Sequence, residues 1–415
     1  MNYNECIHYL EEEVGFGSVP GLERIQALCD KLGNPEQGLS VIHVAGTNGK
    51  GSAVAMLSSI LQAAGYRVGT YTSPHLDRYN ERFMIDGQEI SNEDFAAEIT
   101  LMKNICDELA AEGQVVPTLF EIVTGAAFHY FYQQKVDILI LEVGLGGKYD
   151  ATNIIPAPLL SLIMSISIDH TDFLGDSIEK IAAEKAGIIK KNCPVVLYSQ
   201  SKMVYNIMWT KAQELNAPLY CPENTVIHIS SQSLTGTVFS VKTDFLDMKN
   251  LELPLLGSYQ IGNCITVLEA CAVLRERGLS LSDADIRVGL KNARWAGRME
   301  VCGTDPLILL DGAHNADGIQ QLANSIQTYF DEKKVTLILG VLGDKEYDKM
   351  AEFILPHADS VIRTEPHSER KLDVFSLARS ISNHEGAIYT EKEIEAAFEK
   401  ALAITPADGI ILCCG

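Results

Sequence analysis

The apolar run Val41-Ile42-His43-Val44-Ala45 breaks off into Gly46-Thr47-Asn48-Gly49-Lys50-Gly51-Ser52, and a helix-spaced apolar pattern continues to Gly65. Few folds accommodate that succession. A strand that is apolar at nearly every position must be covered on both faces, as in a parallel sheet flanked by helices. Glycines in the turn let the backbone come close to a neighbour or a ligand. A helix opening there aims unsatisfied N–H groups and the positive end of its dipole at the same point, which is a phosphate site. Lys50 adds a mobile positive charge for the outer phosphates, and Ser52 offers a hydroxyl to phosphate or Mg²⁺. The match to the strict phosphate loop is imperfect, because Gly51 separates Lys50 from Ser52 and the earlier glycine is Gly46. The alternative is a turn that only tightens helix against sheet.

Strand and helix patterns alternate from residue 40 to about 215. RVGTYTS (67–73), VDILILE (136–142), LLSLIMSISI (159–168) and PVVLYS (194–199) read as buried strands, and PTLFEIVTGAAFHYFYQQ (117–134) as a helix opened by a Thr118–Glu121 capping box. Such alternation implies right-handed crossovers and a mostly parallel sheet. TVIHIS and TGTVFSVKT suggest a small antiparallel excursion, and helical patterns return at 258–277 and 282–292. A second α/β series follows in LILLDGAH (307–314), VTLILGV (335–341), SVIRT (360–364) and GIILCCG (409–415). A chain of 415 residues exceeds one ordinary core. The expected fold class is therefore α/β. A mostly parallel, phosphate-loop domain would span 1–296 and a smaller Rossmann-like α/β domain 297–415, divided near RWAGRM.

The formal net charge of −22 repels nucleic acid and anionic membranes, so neither is an expected partner. It also repels anionic small molecules, which then need a local positive site or a metal ion. The apolar runs are too short to cross a bilayer. The acidic N-terminal stretch has no long apolar core, so no signal peptide is expected. Ten cysteines are scattered without a CxxC pair or zinc spacing, and read as reduced core thiols. A cytoplasmic monomer is the expectation.

Several residues stand out against an ordinary structural role. Glu142 closes a buried strand, where a carboxylate is costly unless paired or metal-bound. His170 follows a long apolar run, where a lone histidine is more often a satisfied core residue than a ligand. Ser73 would ordinarily be a turn residue before Pro74, and Lys185 an exposed residue on an amphipathic helix. Asn263 sits inside a helical pattern, where asparagine is unfavourable unless its side chain is used. Asp311 ends the LILLD run and would accept a ribose hydroxyl or orient His314, whereas Arg298 at the boundary would reach a phosphate. Ordinary hydrogen bonding is the alternative for these three. GLGGKYDATN begins like a dinucleotide fingerprint, but Tyr149 takes the third-glycine position and no ribose-binding acid follows at the proper spacing, so a dinucleotide site is not expected.

The loop GTNGKGS resembles that of the Mur ligase superfamily, most closely folylpolyglutamate synthase/dihydrofolate synthase. The same resemblance runs in order through TSPHL (72–76) with ERF (81–83), LEVGLGGKYDATN (141–153), SISIDHTDFLG (165–175), AAEKAGIIK (182–190), YQIGN (259–263), WAGR (295–298) and DGAHN (311–315). It implies an ATP-dependent amide ligase that adds L-glutamate to a folate or to dihydropteroate through an acyl phosphate. Thr47, Asn48, Gly49, Lys50, Gly51, Ser52, Asn263, Arg298 and Asp311 would then contact ATP, with His314 near its phosphates. Ser73, Glu142 and His170 would bind Mg²⁺, and Lys185 would be carbamylated, which requires an uncharged amine. Lys50, His170, Lys185 and His314 form the implied catalytic set. PGLERI (20–25) and TLFE (118–121) resemble regions lining a pteridine pocket. Lys148, Ala296 and Ala316 depart from the family's usual arginine, proline and proline. Muramyl-peptide ligases are the nearest enzyme alternative, but they usually carry an extra N-terminal nucleotide-sugar domain, and only about forty residues precede this loop. A non-catalytic nucleotide-dependent switch is the alternative of another class.

Overall fold

The computed structural model describes residues 1–15 and 20–415. The chain forms two compact units. One comprises Met1–His228, Ser240–Leu251 and Asn263–Ala293, and the other Ile229–Phe239, Glu252–Gly262 and Arg294–Gly415.

The first unit is built on an 8-stranded sheet of β1 (Val41–Ala45), β2 (Val68–Tyr71), β3 (Phe83–Ile85), β4 (Gln88–Glu89), β5 (Ile138–Glu142), β6 (Leu160–Ile163), β7 (Val195–Leu197) and β8 (Leu219–Tyr220). The order is β4-β3-β2-β5-β1-β6-β7-β8. Pairing is parallel from β2 through β8 and antiparallel only where β3 and β4 join the edge. All five residues of β1 and of β5 are buried, as strands covered on both faces must be. The helix Lys50–Ala63 buries Val54, Met56, Leu57, Ile60 and Leu61. The helix Asp283–Asn292 lies so near it that a Cβ on Gly289 would collide with the Ile60 backbone. The capping box is formed: Thr118 N–H donates to Glu121 Oε2 at 2.7 Å, and Glu121 N–H to the Thr118 hydroxyl.

A 3-stranded sheet follows, of β9 (Val226–Ser233), β10 (Gly236–Lys242) and β11 (Asp247–Leu253), with β10 in the middle. The second unit carries a 6-stranded sheet of β12 (Glu300–Thr304), β13 (Leu307–Leu310), β14 (Val335–Leu339), β15 (Ser360–Arg363), β16 (Ala387–Thr390) and β17 (Ile410–Cys414), in the order β12-β13-β17-β14-β15-β16. Only β12 pairs antiparallel. Leu309, Leu337, Leu339 and Leu412 meet the apolar faces of the surrounding helices in its core.

The α/β class and both parallel sheets agree with the sequence reading. The expected strands are trimmed at their ends, LLSLIMSISI most of all: only Leu160–Ile163 of it pairs as β6. The residues after it leave the ladder because they bind the phosphate loop instead. All ten cysteines are free, and no helix among the described residues is long and apolar enough to cross a membrane.

Candidate active site at the strand ends

The neighbours β2, β5, β1 and β6 run parallel, so their carboxyl ends form one row. Ser73 lies just past β2, Glu142 is the last residue of β5, the glycine loop leaves β1, and His170 lies beyond β6. Doubly wound sheets hold their ligands at such an edge, where the chain departs in opposite directions from adjacent strands.

The loop is shaped by close approach. Gly46 (φ 156°) and Gly49 (φ 82°) hold conformations that side chains rarely adopt. A Cβ on Gly46 would stand 2.7 Å from Met164 Cβ, and one on Gly49 2.5 Å from Asn263 Oδ1. Two sequence-predicted residues, Gly49 and Asn263, are thus brought together, with Asn263 buried in the helix Tyr259–Glu276. The segment after β6 clasps the turn. Thr47 N–H donates to Ser165 O at 2.7 Å, and the Thr47 hydroxyl donates to Ser167 O at 3.1 Å while accepting from Ser167 N–H at 3.2 Å. Asn48 Nδ2 donates to the Ser167 hydroxyl at 3.4 Å. Lys50 and Gly51 begin the helix, and Ser52 is buried in its first turn.

Lys50 Nζ donates to Thr47 O at 3.1 Å and lies 3.9 Å from Glu142 Oε1. Glu142 is buried, and its Oε2 accepts the Ser73 N–H at 3.1 Å. Ser73 and Glu142 are therefore neighbours through the Ser73 backbone N–H, and a serine hydroxyl and a carboxylate are hard oxygen donors of the type that suits Mg²⁺. His170 caps the short helix Thr171–Leu174 in a left-handed conformation, with Nε2 3.8 Å from Asp169 Oδ2.

Lys185 overturns the reading from its helical pattern. It is buried, not exposed, and its Nζ donates to Gly46 O at 2.9 Å. Burial first, and then the charge of Lys50, lower its pKa from 10.5 to about 7. The cause is long-range. The GLGG loop presses on the end of the Lys185 helix, and a Cβ on Gly147 would stand 2.7 Å from Glu184 O and 3.0 Å from Lys185 Cα. Lys148 N–H donates to Glu184 O at 2.9 Å. The Lys148 ammonium itself turns away, 4.6 Å from the centre of the Tyr149 ring.

Asp150 was missed by the sequence reading. It is buried and ties this loop together, Oδ2 accepting Leu145 N–H at 2.8 Å and Oδ1 accepting Thr152 N–H at 3.0 Å. The Asp-x-Thr spacing, suited to a side chain that accepts from the backbone two residues on, was the available signal. The structure also joins PGLERI to TLFE, since Arg24 Nε donates to Glu121 Oε2 at 2.9 Å in a buried ion pair.

In the second unit Asp311 follows β13 and is buried. Its Oδ1 accepts Ala313 N–H at 2.8 Å, and its Oδ2 accepts Met299 N–H at 2.9 Å and the Tyr259 hydroxyl at 3.4 Å. Burial raises its pKa, and the Arg298 guanidinium opposes that. Arg298 lies against Gly312, where any Cβ would collide with it. His314 is oriented by the Gly312 carbonyl, 2.8 Å from Nδ1, which places its proton on that nitrogen.

Residues 44–271 match the Mur ligase middle domain and residues 297–415 the Mur ligase glutamate ligase domain. The dihydrofolate synthase/folylpolyglutamate synthase of Bacillus subtilis is 38% identical over 84% of this chain and 81% of its own. A probable bifunctional folylpolyglutamate synthase/dihydropteroate synthase of Haloferax volcanii is 33% identical over all of this chain, which spans only 49% of that longer protein. Among solved structures, FolC of E. coli in complex with DHPP and ADP is 31% identical with a TM-score of 0.89, covering 100% of this chain and 95% of that one. This sequence, with its phosphate loop and its two sheets, belongs to the folylpolyglutamate synthase/dihydrofolate synthase family of Mur ligases.

Proposed function

We propose that this chain is an ATP-dependent ligase that joins L-glutamate to folates, and to dihydropteroate, through an acyl phosphate. The observation carrying the proposal is the convergence of the Lys50 and Lys185 amines on carbonyls of one glycine loop, in a chain of net charge −22. A substrate carboxylate attacks the γ-phosphate of ATP, and the glutamate amine then displaces phosphate from the acyl phosphate. That chemistry asks for positioning and charge neutralisation more than for a side-chain nucleophile.

The amides of Thr47, Asn48, Gly49, Gly51 and Ser52 and the Lys50 ammonium would hold the phosphates. Asn263, Arg298 and Asp311 would contact the nucleotide, with His314 near its phosphates. Ser73, Glu142 and His170 would hold Mg²⁺, which when bound neutralises phosphate charge. Lys185, largely able to lose its proton near neutrality, would carry a carbamate.

ADP release measured with tetrahydrofolate plus glutamate, against each omitted and with dihydropteroate in parallel, tests the proposal. Release should require both acceptor and amine, and Lys50→Ala should abolish it in a folded protein. Turnover only with a UDP-muramyl peptide, or nucleotide binding that no acceptor converts to turnover, would overturn it.

A further inference from the structure

His43 stands in the run that opens the phosphate loop, but its side chain points away from solvent entirely, fully buried on β1. Its Nε2 lies 2.9 Å from Thr152 Oγ1. That hydroxyl lies 2.5 Å from Asp150 Oδ1. Both Asp150 oxygens already receive backbone N–H groups, from Thr152 and Leu145. Burial raises the Asp150 pKa, but the hydrogen bonds from Leu145 and Thr152 oppose that, and as a carboxylate Asp150 only accepts, so the Thr152 hydroxyl gives its proton to Asp150. The hydroxyl oxygen then accepts, and His43 must donate from Nε2. The proton order is fixed along the whole row. His43 Nδ1 is left as a bare acceptor, and it is buried without a hydrogen-bond partner. A protonated ring would bury a second N–H there. Burial, with the Lys190 charge adding to it, holds the imidazole neutral, at about 3. An unsatisfied buried nitrogen is costly, and a leucine would avoid it. Something else retains the histidine.

We infer that His43, Thr152 and Asp150 form a proton-ordered relay in which His43 and Thr152 are positioning residues for the ligation site. The row leads from β1 to Asp150, from Asp150 to the backbone of the 144–150 loop, and from that loop to the end of the helix bearing Lys185. Gly147 touches the Glu184 and Lys185 backbone, Lys148 N–H bonds Glu184 O, and Lys185 Nζ returns to Gly46 O, immediately after β1. The circuit closes on the strand where it began. It ties the phosphate loop to the Lys185 amine through hydrogen bonds that converge on Asp150 from the Thr152 hydroxyl on one side and the Leu145 N–H on the other. The kinetic part of the inference rests on the proposed ligase reading; the relay itself does not.

Two measurements on the full chain decide it. In the wild type, a two-bond ¹H–¹⁵N spectrum should show the His43 ring protonated on Nε2 alone from about pH 5 to about pH 9. An Nδ1-protonated or doubly protonated ring overturns the relay. Thr152→Val should speed hydrogen exchange at the Leu145 amide by about tenfold or more, because Asp150 loses a donor that orients it. Unchanged exchange overturns the relay as well. In the ligase assay, His43→Leu and Thr152→Val should each lower kcat by about tenfold or more and leave KM for ATP within about twofold. The double variant should be no worse than the poorer single, and His43→Gln, which keeps a donor at the same reach, should recover most of the loss. Losses that multiply in the double variant, and that follow the melting temperature, would show two independent packing defects and overturn the positioning role. If His43→Leu fails to fold, the ring spectrum and Thr152→Val still decide. If the wild type shows no folate-dependent turnover, the ligase reading fails while the spectrum and the exchange rate still judge the relay.

Discussion

Replacing Lys185 with methionine should change how stability depends on pH, and the size of the change follows from where the amine sits. In the folded protein the Lys185 amine titrates at about 7, against 10.5 for an ordinary lysine. Below pH 7 it is charged in both folded and unfolded states, so the full cost of burying that charge is present. Between pH 7 and pH 10.5 the unfolded chain binds a proton that the folded one does not, so stability rises with pH. Above that range nothing further is gained. The full cost is about 5 kcal/mol, at about 1.4 kcal/mol per tenfold change. Of this, about 2 kcal/mol is recovered between about pH 7 and pH 9. Urea unfolding of both proteins in bicarbonate-free buffer at about pH 7, 8 and 9 should therefore show the wild type gaining about 2 kcal/mol over Lys185→Met. Parallel profiles would refute the burial argument. At pH 7 about half of the amine is uncharged, against roughly one part in 3000 for an exposed lysine. That uncharged form is the nucleophile for CO₂, so ¹³C-bicarbonate should give a carbamate signal in the wild type that Lys185→Met lacks. Absence of the signal from the wild type would remove the carbamate from the proposal.

Gly147→Ala places a methyl 2.7 Å from Glu184 O, which should cost about 1–3 kcal/mol in chemical denaturation and lower kcat more than it raises KM for ATP. Asp311→Ala strands the buried Met299 and Ala313 N–H groups, at about 1–3 kcal/mol each. Unfolding of that variant should be measured beside its affinity for a non-hydrolysable ATP analogue, and affinity should fall by more than about tenfold.

The strand–loop–helix at 41–63 was legible in the sequence because every signal for it is local: an apolar run, glycines at the turn, and helical spacing after it. The Thr118–Glu121 cap was legible for the same reason. The burial of Lys185 was not. Its helix carries the alternation of an exposed amphipathic surface, and what covers the lysine is a carbonyl 139 positions away together with the GLGG backbone. Residues 164–168 are as apolar as a strand needs, but Ser165 and Ser167 spend their backbone groups on Thr47. Propensity cannot foresee such a choice of partner. Strands β12 and β16, short and largely exposed, gave too little periodicity to be noticed.

The two lysines at the phosphate loop are not duplicates, and their difference follows from where their neighbours lie. Lys50 is partly open to solvent and has the Glu142 carboxylate at 3.9 Å, so a positive charge there is matched in place. Lys185 is deeper, bonded to a carbonyl dipole, and pushed toward the uncharged form by burial and by Lys50 itself. Two full cations held this close in a low-dielectric site would repel strongly, and the cheaper solution is for the buried one to give up its proton. Lys50 then remains the one of the pair suited to pair with phosphate charge, and Lys185 becomes a nucleophile or, once carbamylated, an anion. The acid–base division at this site is therefore set by depth below the loop rather than by residue type, because the residue type is the same.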